Sequence, residues 1–77
     1  EIDFCVPSAQ LAIQVSYNLN DEATYEREVG GLIKFLKAFP GYHGYIITRD
    51  YQTQIKADSY TIEVVPIWKW LLLQDNN

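Results

Sequence analysis

Few residues in this chain have the type and spacing that chemistry requires. There is one cysteine and one histidine, and Cys5 and His43 stand far apart along the sequence. A zinc site needs more ligands than this pair supplies. A Cys–His nucleophile would also need a third orienting group and an oxyanion site, and no segment offers either. Cys5 reads as a small strand residue, and His43 belongs to the turn Pro40-Gly41-Tyr42-His43-Gly44. No Gly-rich phosphate loop is present, so ATP has no site in these residues. The run Glu26-Arg27-Glu28 reads as the solvated face of a helix's first turns, with charges that could tie the helix to a neighbouring domain. Lys34, Lys37, Arg49 and Lys56 are the candidates for a small basic patch, because local clusters rather than net charge decide phosphate contacts. Trp68, Trp70 and Leu71 to Leu73 form the most hydrophobic segment. They are expected to close the core against a sheet, with an exposed docking surface as the alternative.

The elements that must position these residues belong to a small chain. Its 77 residues are 48% hydrophobic and carry six basic against ten acidic side chains, a net charge of −4. This length suits one domain, and the apolar content is too high for a disordered tail. No apolar run approaches the length of a membrane-spanning helix. The acidic balance is not that of a free-standing nucleic-acid module. A single cysteine excludes a disulfide framework and fits a reducing cytoplasm, the expected location. No basic stretch precedes an apolar one, so no signal peptide is read. A domain of this size buries only roughly 60% of its unfolded surface, and modest stability is expected.

Residues 2–6 alternate, with Ile2, Phe4 and Val6 on one side and Asp3 and Cys5 on the other. Pro7-Ser8 breaks this strand. Residues 11–17 alternate again, placing Ile13, Val15 and Tyr17 opposite Ala12, Gln14 and Ser16. The short connection requires an antiparallel pair. Asn20 or Asp21 then caps a helix, along which Tyr25, Val29, Leu32, Ile33 and Leu36 recur at helical spacing. Gly30-Gly31 in mid-helix costs about 1 kcal/mol per glycine relative to alanine, which predicts close approach of the helix to a sheet. Phe39-Pro40-Gly41 stops the helix.

Gly44 to Thr48 reads as a central strand covered on both faces, parallel to the second strand through a right-handed crossover. Residues 49–59 are polar, with a short extension at Thr53 to Lys56 and a turn near Asp58. Thr61 to Pro66 is a further strand, expected at an antiparallel edge, with Ile62 and Val64 on one face. Ile67 to Leu73 forms a final helix or turn. The fold class is therefore α/β, a mixed four-stranded sheet in the order β-β-α-β-β-α. A single domain spans residues 1–74, and 75–77 are a frayed end. One sheet face is left with little cover, and an element preceding Glu1 would complete it.

Five segments, taken in order, carry a resemblance. They are Glu1-Ile2-Asp3-Phe4, then Ile13-Gln14-Val15-Ser16-Tyr17, then Thr24-Tyr25-Glu26-Arg27-Glu28-Val29 leading into Gly31-Leu32. Ile46-Ile47-Thr48 follows, and last Val65-Pro66-Ile67-Trp68-Lys69-Trp70-Leu71-Leu72. In this order they resemble the C-terminal domain of a prokaryotic family of AAA+ type ATPases. That domain is similar to the PD-(D/E)XK nuclease, or restriction-endonuclease-like, fold. The resemblance covers essentially the whole chain and implies a core truncated at its N-terminal side, lacking its first helix and strand.

The fold's chemistry uses an Asp on one strand and an acid-X-Lys triplet on the next. The carboxylates hold Mg²⁺ against a phosphate, and the Lys orients or activates water. Asp3 matches the first position. Gln14-Val15-Ser16 falls on the triplet, so the two charged positions of the triplet are neutral here. Asp3, Gln14 and Ser16 are then relics of a catalytic site, with Asp3 alone as a metal ligand. Read as ordinary strand residues, Asp3 faces water and Gln14 and Ser16 are hydrogen-bonded at a sheet face. Glu26 or Glu28 would have to supply any missing acid.

The resemblance thus implies a degenerate nuclease-fold module of a larger ATPase, associating with DNA or protein and not catalytic by itself. The alternatives are an Mg²⁺-dependent DNA nuclease and a structural or oligomerisation domain. No cofactor is expected within these residues. Mg²⁺ would enter with an active nuclease, and ATP only in an upstream domain. The partners implied are the ATPase domain of the same chain, DNA and a second copy of the chain, with no membrane.

Overall fold

The computed structural model describes residues 2–75. Five strands and two helices follow one another as β1 (Phe4–Val6), β2 (Leu11–Val15), α1 (Glu22–Ala38), β3 (His43–Thr48), β4 (Thr53–Ala57), β5 (Tyr60–Pro66) and α2 (Ile67–Asp75). The strands form a single mixed sheet in the order β1-β2-β3-β5-β4. β1 runs antiparallel to β2, β2–β3 and β3–β5 are parallel, and β4 is antiparallel to β5.

Helix α1 begins where Asp21 accepts hydrogen bonds from the Thr24 N–H and the Thr24 hydroxyl, each at 2.9 Å. This cap satisfies one of the donors that a helix N-terminus otherwise leaves unpaired. The helix ends at Phe39-Pro40, and Gly41 turns the chain at φ 100°, a conformation that suits a residue without Cβ. Val29, Leu32, Ile33 and Leu36 bury one stripe of α1 against Ala12, Ile46, Ile62 and Val64 of the sheet. Each such side chain contributes roughly 1.5–3 kcal/mol when fully buried.

A close approach of helix to sheet occurs on the strand, and Gly30 of the helix pair takes no part in one. A Cβ at Gly44 of β3 would lie 3.1 Å from Leu36 Cδ1 and 3.2 Å from Leu32 Cγ. A Cβ at Gly30 would meet nothing within 4 Å. Gly30 therefore faces open space, contrary to the expectation that sheet contact justifies it.

Three expectations about the sheet change. It has five strands, because the extension at residues 53–56 is a full strand, β4. β5 is not an antiparallel edge but an interior strand, flanked by β3 and β4. The cause is the tight turn at Asp58 and Ser59, both at positive φ (52° and 72°). This is the backbone hand that suits a two-residue hairpin and pairs β4 with β5, and because β3 pairs with β5 on its other side, β4 takes the edge. The opening strand is also shorter than residues 2–6. The chain bends at Asp3, so Ile2 packs on the α1 side while Phe4 and Val6 lie across from Ile13 and Leu11 on the other side.

That other face carries a smaller cluster of Ile13, Ile47 and Val65. Trp70 of α2 covers it, with its ring 5.1 Å from that of Tyr45. The rest of α2 leaves Trp68 57% exposed and Leu71 and Leu72 each 55% exposed. Trp70 thus closes core as expected, and Trp68 does not. α2 continues through Asp75, so that residue of the expected frayed end is helical; residues 76–77 lie outside the described residues. Among the described residues, no helix is long and apolar enough to cross a membrane.

Candidate functional site

The pairing of β1 with β2 brings Asp3 beside Gln14. The Asp3 N–H donates to Gln14 Oε1 at 2.8 Å, and the Val15 N–H donates to Asp3 Oδ2 at 2.9 Å. Each side chain thereby takes a place that a strand backbone group would fill. This exchange accounts for the bend at Asp3, where regular pairing gives way to side-chain pairing. Gln14 is buried, and its neighbour on the same face, Ser16, is buried beneath α1. The Ser16 N–H donates to the Ile47 carbonyl at 2.9 Å, extending the β2–β3 ladder by one residue.

Asp3 and Gln14 open onto a cleft of about 230 Å³ that Arg27 and Glu28 of α1 also line. The Arg27 Nε lies 3.5 Å from Glu28 Oε2. Of the two helix acids considered for a rescue role, Glu28 faces the cleft and Glu26 is not among its lining residues. The positive charge beside these carboxylates is a guanidinium. It pairs with Glu28, its neighbour in the chain, across the exposed rim of the cleft. Among the described residues, no group of three or more His, Cys, Asp or Glu side chains is arranged to hold a metal.

The remaining candidates do not assemble into one site. Cys5 pairs with Ala12, which pairs with Gly44, on the α1 face, whereas His43 aligns with Leu11 on the opposite face. A Cys–His pair is therefore not formed. The four basic residues are scattered, which removes the expected patch. Lys37 is held by Asp58 at 3.0 Å, and Lys34 and Lys37 border a shallow cleft between α1 and the β4–β5 turn. Arg49 lies beyond the end of β3, its guanidinium 5.5 Å from the centre of the Tyr17 ring. Lys56 alternates with Ile55 and Ala57, which face α1, and so projects from the other side of the sheet.

The sequence reading missed a second grouping, at the carboxyl ends of β2 and β3. Two adjoining clefts of about 130 and 220 Å³ meet there and share Leu19, Asn20 and Tyr51 as walls. The loop that carries Arg49 and Tyr51 is fixed by Thr48. Its buried hydroxyl donates to the Tyr51 carbonyl at 2.6 Å and accepts from the Tyr51 N–H at 3.1 Å. The available signal was a set of tyrosines, Tyr17, Tyr25 and Tyr51, near polar turn residues where burial does not call for large rings.

No protein-family model, no curated protein and no solved structure matches the chain.

Proposed function

We propose that this domain is a non-catalytic, protein-interacting module on a nuclease-type scaffold, the C-terminal part of a larger ATPase. The observation that carries the reading is the reciprocal pairing of Asp3 with Gln14 and Val15. The carboxylate that would be the first metal ligand is engaged by a backbone N–H, and its strand neighbour is a neutral amide. Gln14 and Ser16 bring no charge to a cation, and Arg27, paired with Glu28, lines the same cleft as Asp3. Asp3 in this reading is a structural residue that joins β1 to β2.

The partner is protein in preference to DNA. Arg49, Lys56 and the Lys34/Lys37 pair point to different parts of the surface, and Lys37 is neutralised by Asp58. The β1–β2 end of the sheet instead presents Phe4, Val6 and Val15, and α2 presents Leu71 and Leu72, all exposed and none charged. Two adjacent strands span about 10 Å, the diameter of one helix. An amphipathic helix of the neighbouring ATPase part, apolar on its docking side, fits that chemistry and that width.

DNA cleavage and Mg²⁺ binding test the reading together. The expected results are no cleavage of DNA with Mg²⁺ or Mn²⁺ and no saturable Mg²⁺ binding by calorimetry. Metal-dependent cleavage that Asp3→Ala abolishes would overturn it in favour of the nuclease.

A further inference from the structure

We infer that the paired clefts beyond β2 and β3 form a binding site for an adenine mononucleotide, with the base between tyrosine rings and the phosphate at Arg49. Parallel α/β sheets place ligands outside the carboxyl ends of their strands, where the chain departs toward opposite faces. Here β2 leads to α1 on one face, and β5 leads to α2 on the other. Both clefts lie outside the carboxyl ends of β2 and β3, between the start of α1 and the loop that leads into β4.

Its walls suit a flat ring. Tyr51, 51% exposed, and Tyr25, 38% exposed, both line the larger cleft, while Tyr17 lines the smaller one beneath Arg49. Exposed tyrosine rings provide stacking faces for a nucleobase. At about 220 Å³ the larger cleft is below the roughly 300–1,000 Å³ of sites for drug-sized molecules, a size suited to a single base. Asn20 lines both clefts, and an Asn side-chain amide matches the donor and acceptor edge of adenine.

The charges select a mononucleotide over a nucleic-acid strand. Arg49 is the only cation lining either cleft among the described residues, and Asp50 lines the smaller one. Asp21 caps α1 close by, so the helix N-terminus already has its anion. One phosphate has a partner in Arg49, whereas a chain of phosphates would run onto carboxylates. The stacking of Arg49 on Tyr17 holds its guanidinium beside the smaller cleft. This site shares no lining residue with the apolar surface proposed for the protein contact, so either reading can fail alone.

The test is titration of the isotopically labelled chain with AMP, adenosine, ribose 5-phosphate and glucose, followed by amide NMR. AMP is expected to give saturable shifts centred on Tyr17, Asn20, Arg49 and Tyr51, with adenosine shifting the same residues more weakly. Tyr51→Ala should weaken AMP about tenfold, and Tyr51→Phe, which keeps the ring, should retain binding. Arg49→Gln should bring AMP down to the affinity of adenosine. Absence of saturable shifts at millimolar AMP, shifts centred elsewhere, or equal binding of ribose 5-phosphate or glucose would overturn the inference.

Discussion

At the residue scale, Asp3 shows how a catalytic-looking acid serves structure. Its carboxylate accepts a backbone N–H while its own N–H is taken by Gln14. Hydrogen bonds to a charged group contribute roughly 1.5–3 kcal/mol each. Asp3→Ala is therefore expected to lower unfolding stability by about 1–3 kcal/mol, measured by urea denaturation with and without Mg²⁺. A metal-ligand role predicts the opposite without Mg²⁺, since removing an unneutralised acid relieves repulsion. Thr48 is a second such residue: its hydroxyl is buried and bonded twice to Tyr51. Thr48→Val should cost about 1–3 kcal/mol and loosen the loop at residues 49–52, seen as faster amide exchange at Tyr51. The sequence identified Asp3 and Gln14 as neighbours in a motif. It did not show that they bond to each other, because that depends on the register of two strands.

At the scale of elements, two glycines separate propensity from packing. Gly30 lies on α1 with open space where a Cβ would go, so Gly30→Ala should stabilise the domain by about 1 kcal/mol. In Gly44→Ala the new methyl would press on Leu32 and Leu36, and the expected loss is about 1–3 kcal/mol. Thermal unfolding of the two variants should move in opposite directions.

The cap of α1 supplies a pH dependence. The N–H and hydroxyl of Thr24 hold the Asp21 carboxyl below the usual carboxylate range. Its folded form thus binds a proton less readily than its unfolded form. The contribution is present above about pH 4 and is lost as the pH falls through the lowered value. Asp21→Asn retains an N-cap without that ionisation. The gap between the melting temperatures of the original chain and the variant should narrow on acidification from neutral pH.

The helix, its cap and the central strand were legible because their signals are local. The edge strand was not. β4 reads only as a short extension within a polar stretch, with Ile55 alone fully committed to the core, and its place at the edge depends on the pairing of β5 with both β3 and β4.

At the scale of the whole molecule, the sheet has unequal faces. α1 covers one along its length, while α2 reaches the other chiefly through Trp70. The sequence indicated a face with little cover; Phe4 is exposed on that face, and Trp68, Leu71 and Leu72 are exposed on α2. If this surface is for contact and not for the core, replacing Leu71 and Leu72 together by Ser should change stability by less than about 0.5 kcal/mol per site. The same pair of changes should abolish binding to the ATPase part in a pull-down of separately purified domains. A large loss of stability would instead assign these leucines to the fold.

By itself the sequence determined most of the helix and strand segments, where α1 starts and stops, and which strand is central. These follow from period, caps and breakers, which act over a few residues. It also indicated that Cys5, His43 and the acids lack the company that most chemistry needs. Only the tertiary structure decided that β5 lies inside the sheet and β4 outside it. Only there do the basic residues separate, Asp3 close on Gln14, and Tyr17, Arg49 and Tyr51 gather at one end. Those outcomes join residues distant in sequence. They are set by strand order and register, which depend on how the apolar faces pack together.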